Sequence, residues 1–294
     1  MDFKDDAQID QDAIDSSASR GGGGGGRIAI GGGAGVIVLI IALFLGIDPA
    51  NILGSDTGET GTGTSSVAST TSCRTGADVR KDPNCRWAAY ATSINQYWAT
   101  QIDGYTKARV KPFTNAVDTG CGHASAQMGP FYCSADKLVY LDTNFLGELL
   151  QQLGTQTSTA AEAYVIAHEY GHHAQDLIGT LSKAHSSGSQ TGAHSASVRL
   201  ELQADCYAGA YLKWAADNPD DLIENVTSSD IEKIVAAAKS VGDDHIQEQQ
   251  QGQVDQDAWT HGSSAMRIYW TKRGFASGSP KQCDTFSTNN LEGR

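Results

Sequence analysis

The chain has 294 residues, 39% of them apolar, and a formal charge of −13. That length and apolar share suffice for a substantial core, in one large or two modest domains. The acidic balance disfavours a broad phosphate-binding face and sets nucleic acid aside as a partner.

Residues 1–27 scatter aspartates ahead of "RGGGGGGR", a composition that cannot bury a core, and they predict a disordered cytoplasmic tail. Residues 28–47, "IAIGGGAGVIVLIIALFLGI", are 20 uncharged positions, enough to cross a hydrocarbon layer of about 30 Å. Arg20 and Arg27 precede this stretch, while Asp48, Asp56 and Glu59 follow it. The positive-inside tendency therefore predicts a single-pass cell-membrane anchor with its N-terminus cytoplasmic and the later residues extracytoplasmic. A cleaved signal peptide would have a shorter apolar run and a small-residue cleavage site. Residues 48–72, with "GSDTGETGTGTSSVASTTS" from position 54, read as a flexible linker.

Residues 73–294 form the globular part. "WAAYATSINQYWATQI" carries Trp87, Tyr90, Ala91, Ile94, Trp98 and Ile102 at helical steps. "KLVYLD", residues 137–142, is strand-like, and "FLGELLQQL" from Phe145 is helical again. Thr159 and Glu162 have the spacing of a capping box before "AYVIAHEYGHHAQDLI". Residues 182–197, "SKAHSSGSQTGAHSAS", read as a surface loop before the helix "VRLELQADCYAGAYLKWA", which Pro219 stops. Ser229 and Glu232 suggest a second box opening "IEKIVAAAKSV", and a last helix, "SSAMRIYWTKR", is expected to end at Gly274. The fold class expected is α+β, mainly α, with a small sheet.

Cys73, Cys85, Cys121, Cys133, Cys206 and Cys283 include no CxxC pair, so disulfides in an oxidising compartment are expected rather than a zinc ribbon. Of the fifteen connectivities open to six cysteines, Cys121–Cys133 has a reason, since the two bracket a Gly-Pro turn. Cys73–Cys85 and Cys206–Cys283 would complete the set.

His168 and His172, in "AHEYGHHAQ", are four apart and share one helix face, with imidazoles placed to hold one zinc ion. Glu169 flanks that position and can act as general base toward a water without ligating. A catalytic zinc site needs a third protein ligand. Glu201 and Asp205 in "ELQAD" share a face of the next helix, so Glu201 can complete a His₂Glu set while Asp205 accepts a hydrogen bond from a ligand imidazole. His173 lies about 100° round the helix and is expected to face solvent or a carboxylate. His185 and His194 fall in the loop and are not taken as ligands. Gly171 costs helix stability, which implies that something packs closely there. Asp243 and Asp244 suit a helix terminus better than a calcium site, because no EF-hand frame surrounds them.

"HEYGHH" followed by "ELQAD" is similar to the gluzincin arrangement, H-E-x-x-H with a downstream E-x-x-A-D helix. The chain also resembles the neutral zinc metallopeptidases of bacteria, small membrane-anchored proteins. The resemblance lies in "CGHASAQMGPFYCSADKLVYLDTNF", "AHEYGHHAQDLIG", "RLELQADCYAGAY" and "HGSSAMRIYW", between Val110 and Phe286, and in the glycine-rich segment before the anchor. Residues 74–108 and the serine-rich loop after Lys183 match less closely. The resemblance implies a zincin-like domain with zinc hydrolase activity on a peptide or protein substrate. An oxyanion would then need a hydrogen-bond donor. His261, which opens "HGSSAMR", is the first choice for that role, ahead of Tyr207 and Tyr211. The strand "KLVYLD" is the expected edge for an extended peptide, as zincin folds generally provide, with a plain core role as its alternative. The alternative function is a catalytically silent, zinc-stabilised module that docks envelope proteins. Glu169 speaks against it, because a structural site needs no base.

Overall fold

The computed structural model describes residues 1–17, 73–186 and 188–293. The expected anchor at 28–47 and linker at 48–72 lie outside these, as do residues 18–27 of the expected tail. Among the described residues no helix is long and apolar enough to cross a membrane.

The domain is mixed α+β and mainly helical. Its helices are α1 (Gly76–Lys81), α2 (Cys85–Gln101), α3 (Phe145–Gln152), α4 (Thr159–Leu177), α5 (Thr180–Ser186), α6 (Ala196–Asp217), α7 (Ser228–Ser240), α8 (Asp243–Gln251) and α9 (Ser264–Ser277). The strands are β1 (Asp2–Phe3), β2 (Arg109–Phe113), β3 (Ala116–Thr119), β4 (Gly122–Ser125), β5 (Phe131–Cys133), β6 (Leu138–Asp142) and β7 (Ile223–Glu224).

The packing of α4, α6 and α9 positions the site, and small residues set how closely these helices approach. A Cβ on Gly171 of α4 would lie 3.1 Å from Ala204 Cα of α6, the close approach that a glycine inside a helix implied. Between α6 and α9 the contact is closer still. Any side chain at Gly209 would collide with the Thr271 carbonyl, and any at Gly274 with the Cys206 carbonyl. Gly274 is therefore a crossing point rather than the helix end, and α9 runs on to a left-handed Gly278.

The caps sit near the expected positions but on other residues. Ser158, not Thr159, caps α4 by accepting from the Ala161 N–H. Glu162 is left to pair with Arg86 Nε at 2.8 Å. The box opening α7 is Thr227 with Asp230 rather than Ser229 with Glu232. The loop expected from residue 182 starts later, because α5 continues to Ser186.

The main sheet has the order β2-β6-β5, with β2 parallel and β5 antiparallel to β6. Residues 137–142 thus supply the central strand, all of β6 being buried, and not the expected substrate edge. The edge nearest the site is β5.

Residues 1–17 correct the expectation of a disordered tail. β1 pairs with β7, and Ile14 forms a parallel bridge with Val110 that covers the outer edge of β2. Phe3, Ile9, Ala13 and Ile14 are buried in the main core. Buried Lys111 lies 3.6 Å from buried Asp15. The aspartates that suggested a solvated tail alternate with these anchors, and backbone pairing holds the segment where hydrophobic periodicity gave no sign. Backbone N–H groups of Lys4, Ile9 and Asp15 donate to the carbonyls of Leu222, Arg74 and Val110 and hold this segment on the domain.

All three expected disulfides are present: Cys73–Cys85, Cys121–Cys133 and Cys206–Cys283.

Candidate active site

α4 turns His168 and His172 toward α6, and the Gly171–Ala204 contact brings Glu201 against them. Ligand atoms of His168, His172 and Glu201 all lie within 4.8 Å of one another, and the three side chains are buried. The outer nitrogens of both rings are held in place. His168 Nδ1 hydrogen-bonds Asp205 Oδ1 at 2.8 Å, and His172 Nδ1 hydrogen-bonds Gln175 Oε1 at 2.9 Å. Both Nε2 atoms therefore face Glu201: His168 Nε2 is 3.0 Å from Oε2, and His172 Nε2 is 3.3 Å from Oε1. Glu201 Oε1 is buried without a hydrogen-bond partner. Two imidazole nitrogens and a carboxylate with a buried, uncommitted oxygen form a donor set that fits zinc.

The support behind this cluster was only partly foreseen. Asp205 is the expected acceptor for His168. It is itself gripped by Arg267, whose Nε and Nη2 each donate at 2.8 Å. Tyr164 donates its hydroxyl to the same Asp205 oxygen at 2.5 Å. Burial opposes the charge on Asp205, but Arg267 and His168 outweigh it and hold the carboxyl below its usual range. Sequence reasoning missed Arg267, Tyr164 and Gln175. Arg267 stood within the quoted "HGSSAMR", and Gln175 lies three residues after His172, one turn along the same face.

Glu169 is buried beside the ligands but outside the cluster that could hold a metal. Burial raises its carboxyl pKa above the ordinary value, and the positive charge of His172 and His168 opposes that rise. A carboxylate made more basic in this way is better suited to accept a proton.

His261 lines the same cavity as His168, Glu169, His172 and Glu201. Its Nδ1 is 3.0 Å from Thr260 Oγ1 and 3.4 Å from Asp243 Oδ1, which leaves Nε2 as the nitrogen available to the cavity. Burial favours the neutral ring, but Glu201 and Asp243 outweigh it and raise the pKa. Asp243 also fixes the loop: its Oδ2 accepts from the backbone N–H groups of Thr260, His261 and Gly262 at 2.8, 2.7 and 2.9 Å. Asp243 and Asp244 do open a helix, as expected of a terminus.

Other candidates fall away from the cluster. Tyr207 packs edge-on against Trp98, and the buried Tyr211 hydroxyl meets Ser93 at 2.8 Å; neither lines the cavity. His173 is fully buried rather than solvent-facing, between Tyr132 Oη at 3.0 Å and the Thr106 carbonyl at 2.7 Å. His194 is exposed. His185 lies on α5 and lines the cavity wall, outside the ligand cluster.

The family model described as "Putative neutral zinc metallopeptidase" matches residues 1–286. The chain belongs to this family. It is 42% identical over 255 residues to "Uncharacterized protein Rv2575" of Mycobacterium tuberculosis, covering 85% of this chain and 86% of the relative. It is 39% identical over 216 residues to "Uncharacterized protein YpfJ" of Escherichia coli strain K12, covering 69% and 73% respectively. No solved structure matches the chain significantly. Membership in this family agrees with the His₂Glu donor set, and the matched span includes the N-terminal segment that packs on the domain.

Proposed function

We propose that the protein is a zinc-dependent endopeptidase of gluzincin type, with His168, His172 and Glu201 as metal ligands and Glu169 as general base. The observation that carries this reading is Glu169 itself. It is buried in the cavity beside three convergent ligand side chains without belonging to their cluster. A purely structural zinc site is closed by four protein ligands and has no use for such a carboxylate. Among the described residues this cluster has three ligands.

Bound zinc supplies a Lewis acid that polarises a carbonyl and lowers the pKa of water to about 7. Glu169 takes a proton from the attacking water and delivers it to the departing amine. Asp205, held by Arg267, keeps His168 in the tautomer whose Nε2 faces the metal position. His261 donates from Nε2 to the developing oxyanion, and Asp243 holds its loop in place. The edge of β5, whose Phe131 and Tyr132 line the cavity with Glu169, offers an extended peptide a strand to pair with.

The three disulfides support an oxidising, extracytoplasmic location. Attachment to the membrane through residues 28–47 belongs to this proposal, on the strength of their 20 uncharged positions. Because residues 1–17 pair with the domain, the two share one side, and the attachment proposed is association with the membrane rather than a single crossing. The test is zinc content and hydrolysis of a diverse peptide library by the purified full chain. Zinc at one per chain with cleavage supports the reading, and a zinc-loaded chain that cleaves nothing refutes it.

A further inference from the structure

His173, the third histidine of "AHEYGHHAQ", takes no part in the metal cluster, yet it is fully buried. A buried imidazole costs free energy unless its nitrogens are hydrogen-bonded. Here both are engaged with elements outside α4. Nε2 lies 2.7 Å from the Thr106 carbonyl, which can only accept, so Nε2 carries a hydrogen. Nδ1 lies 3.0 Å from Tyr132 Oη on β5. Asp176 accepts from the same hydroxyl at 2.8 Å and from Lys137 in the turn between β5 and β6. The rings of Tyr105 and Tyr132 flank the imidazole, with centroids 5.5 and 5.3 Å away.

Glu169, His173 and Asp176 are spaced by four and three residues and so share one face of α4. His168 and His172 turn toward α6, while this second stripe, which includes the base, turns toward β5. β5 is an outer strand of only three residues, paired on one side with β6 and on the other with no strand among the described residues. Its side chains alternate, so Phe131 and Cys133 enter the smaller core beside Leu138 and Tyr140, and Tyr132 alone faces α4. So short a strand is held by few ladder bonds, and the Tyr132 hydroxyl adds the tie that runs to the helix of the base.

Resting on the endopeptidase reading, we propose that His173 and Asp176 are positioning residues that latch Tyr132, and through it the free edge of β5, at a fixed distance from Glu169. An extended substrate then pairs with the strand within reach of the base. Both residues act through Tyr132 rather than on the substrate.

The test uses the purified, zinc-loaded full chain, an extended peptide from the library, and a copy N-methylated at alternate backbone amides away from the scissile bond, which cannot pair with a strand. Tyr132→Phe removes the latched hydroxyl alone. Strand pairing is binding made equally in the ground and transition states, so KM for the extended peptide is expected to rise about tenfold, with kcat within about twofold of wild type. KM for the methylated copy and zinc content are expected to stay at wild-type values. His173→Asn, whose amide can replace Nδ1 toward Tyr132, is expected to keep the wild-type KM. His173→Gln, whose amide can replace only Nε2, should behave as Tyr132→Phe does. Hydrogen exchange in β5 should quicken in the two variants of raised KM and not in His173→Asn. Equal loss on both peptides, a loss that follows melting temperature instead of the Tyr132 contact, or a wild type that cleaves both peptides equally would overturn the latch. A zinc-loaded wild type that cleaves no peptide sinks the peptidase reading, and the substrate role of the latch with it, whereas cleavage indifferent to Tyr132→Phe sinks the latch alone.

Discussion

Arg267 grips both oxygens of Asp205, donating at 2.8 Å to each, and the Oδ1 it holds is also the acceptor for His168 Nδ1 at 2.8 Å. A cation on α9 thereby fixes the orientation of an imidazole on α4 through a carboxylate on α6. All three groups are buried, so each depends on the others for its charge. Asp205→Asn keeps the shape but weakens the acceptor, and zinc affinity is expected to fall about 10–100-fold, read by chelator competition. Arg267→Leu leaves Asp205 buried without its counter-ion and is expected to cost about 3–5 kcal/mol of stability in denaturant titration. Wild-type zinc affinity in Asp205→Asn would remove Asp205 from the support of the site.

The metal-free protein has a definite pH signature. Burial favours neutral His168, but Asp205 and Glu201 outweigh it and raise the pKa from 6.5 to about 10. A raised folded-state pKa contributes stability that is complete below the unfolded value and is lost as pH rises through the folded one. The melting temperature of the metal-free chain is therefore expected to fall between about pH 7 and pH 10. Zinc must displace the same proton, so its apparent affinity should rise with pH over that range, with proton release on uptake at pH 7. Zinc uptake without proton release in an indicator-dye titration would contradict this.

His261 and Asp243 separate chemistry from scaffolding. His261→Ala is expected to retain zinc and stability while kcat falls about 10²–10³-fold, the usual cost of losing an oxyanion donor. Asp243→Ala removes the acceptor of three backbone N–H groups, so it should lower both the melting temperature and kcat. Unchanged kcat in His261→Ala would assign the oxyanion role elsewhere.

The N-terminal segment is expected to be part of the folded domain. Phe3, Ile9 and Ile14 are each worth about 1.5–3 kcal/mol of burial. At about 2–4 °C per kcal/mol for a domain of this size, deleting residues 1–17 should lower the melting temperature by at least about 10 °C. Epitopes at the two ends of the chain should show the same accessibility in intact cells. Opposite accessibility, or an unchanged melting temperature, would contradict the packing seen here.

What the sequence made legible follows from what local spacing can encode. His168, Glu169 and His172 lie within one helical turn, and Glu201 and Asp205 lie within another, so each helix face could be read by counting. The partners that complete the site come from far along the chain. Arg267 stands 62 positions from Asp205, and inside a helix pattern it looks like any solvated cation. The order β2-β6-β5 is likewise a tertiary fact, so "KLVYLD" read correctly as a strand but wrongly as an edge. Residues 1–17 misled most, because their fit depends on backbone pairing with β7 and β2 and on four scattered apolar side chains, and neither produces a period.

The central claim is that Glu169 is a base and not a ligand or a structural carboxylate. The most direct measurement compares wild type with Glu169→Gln for zinc content and peptide hydrolysis under the same conditions. The account predicts full zinc occupancy in the variant, with hydrolysis reduced about 10²–10⁴-fold. Hydrolysis at the wild-type rate in a zinc-loaded Glu169→Gln protein would contradict it.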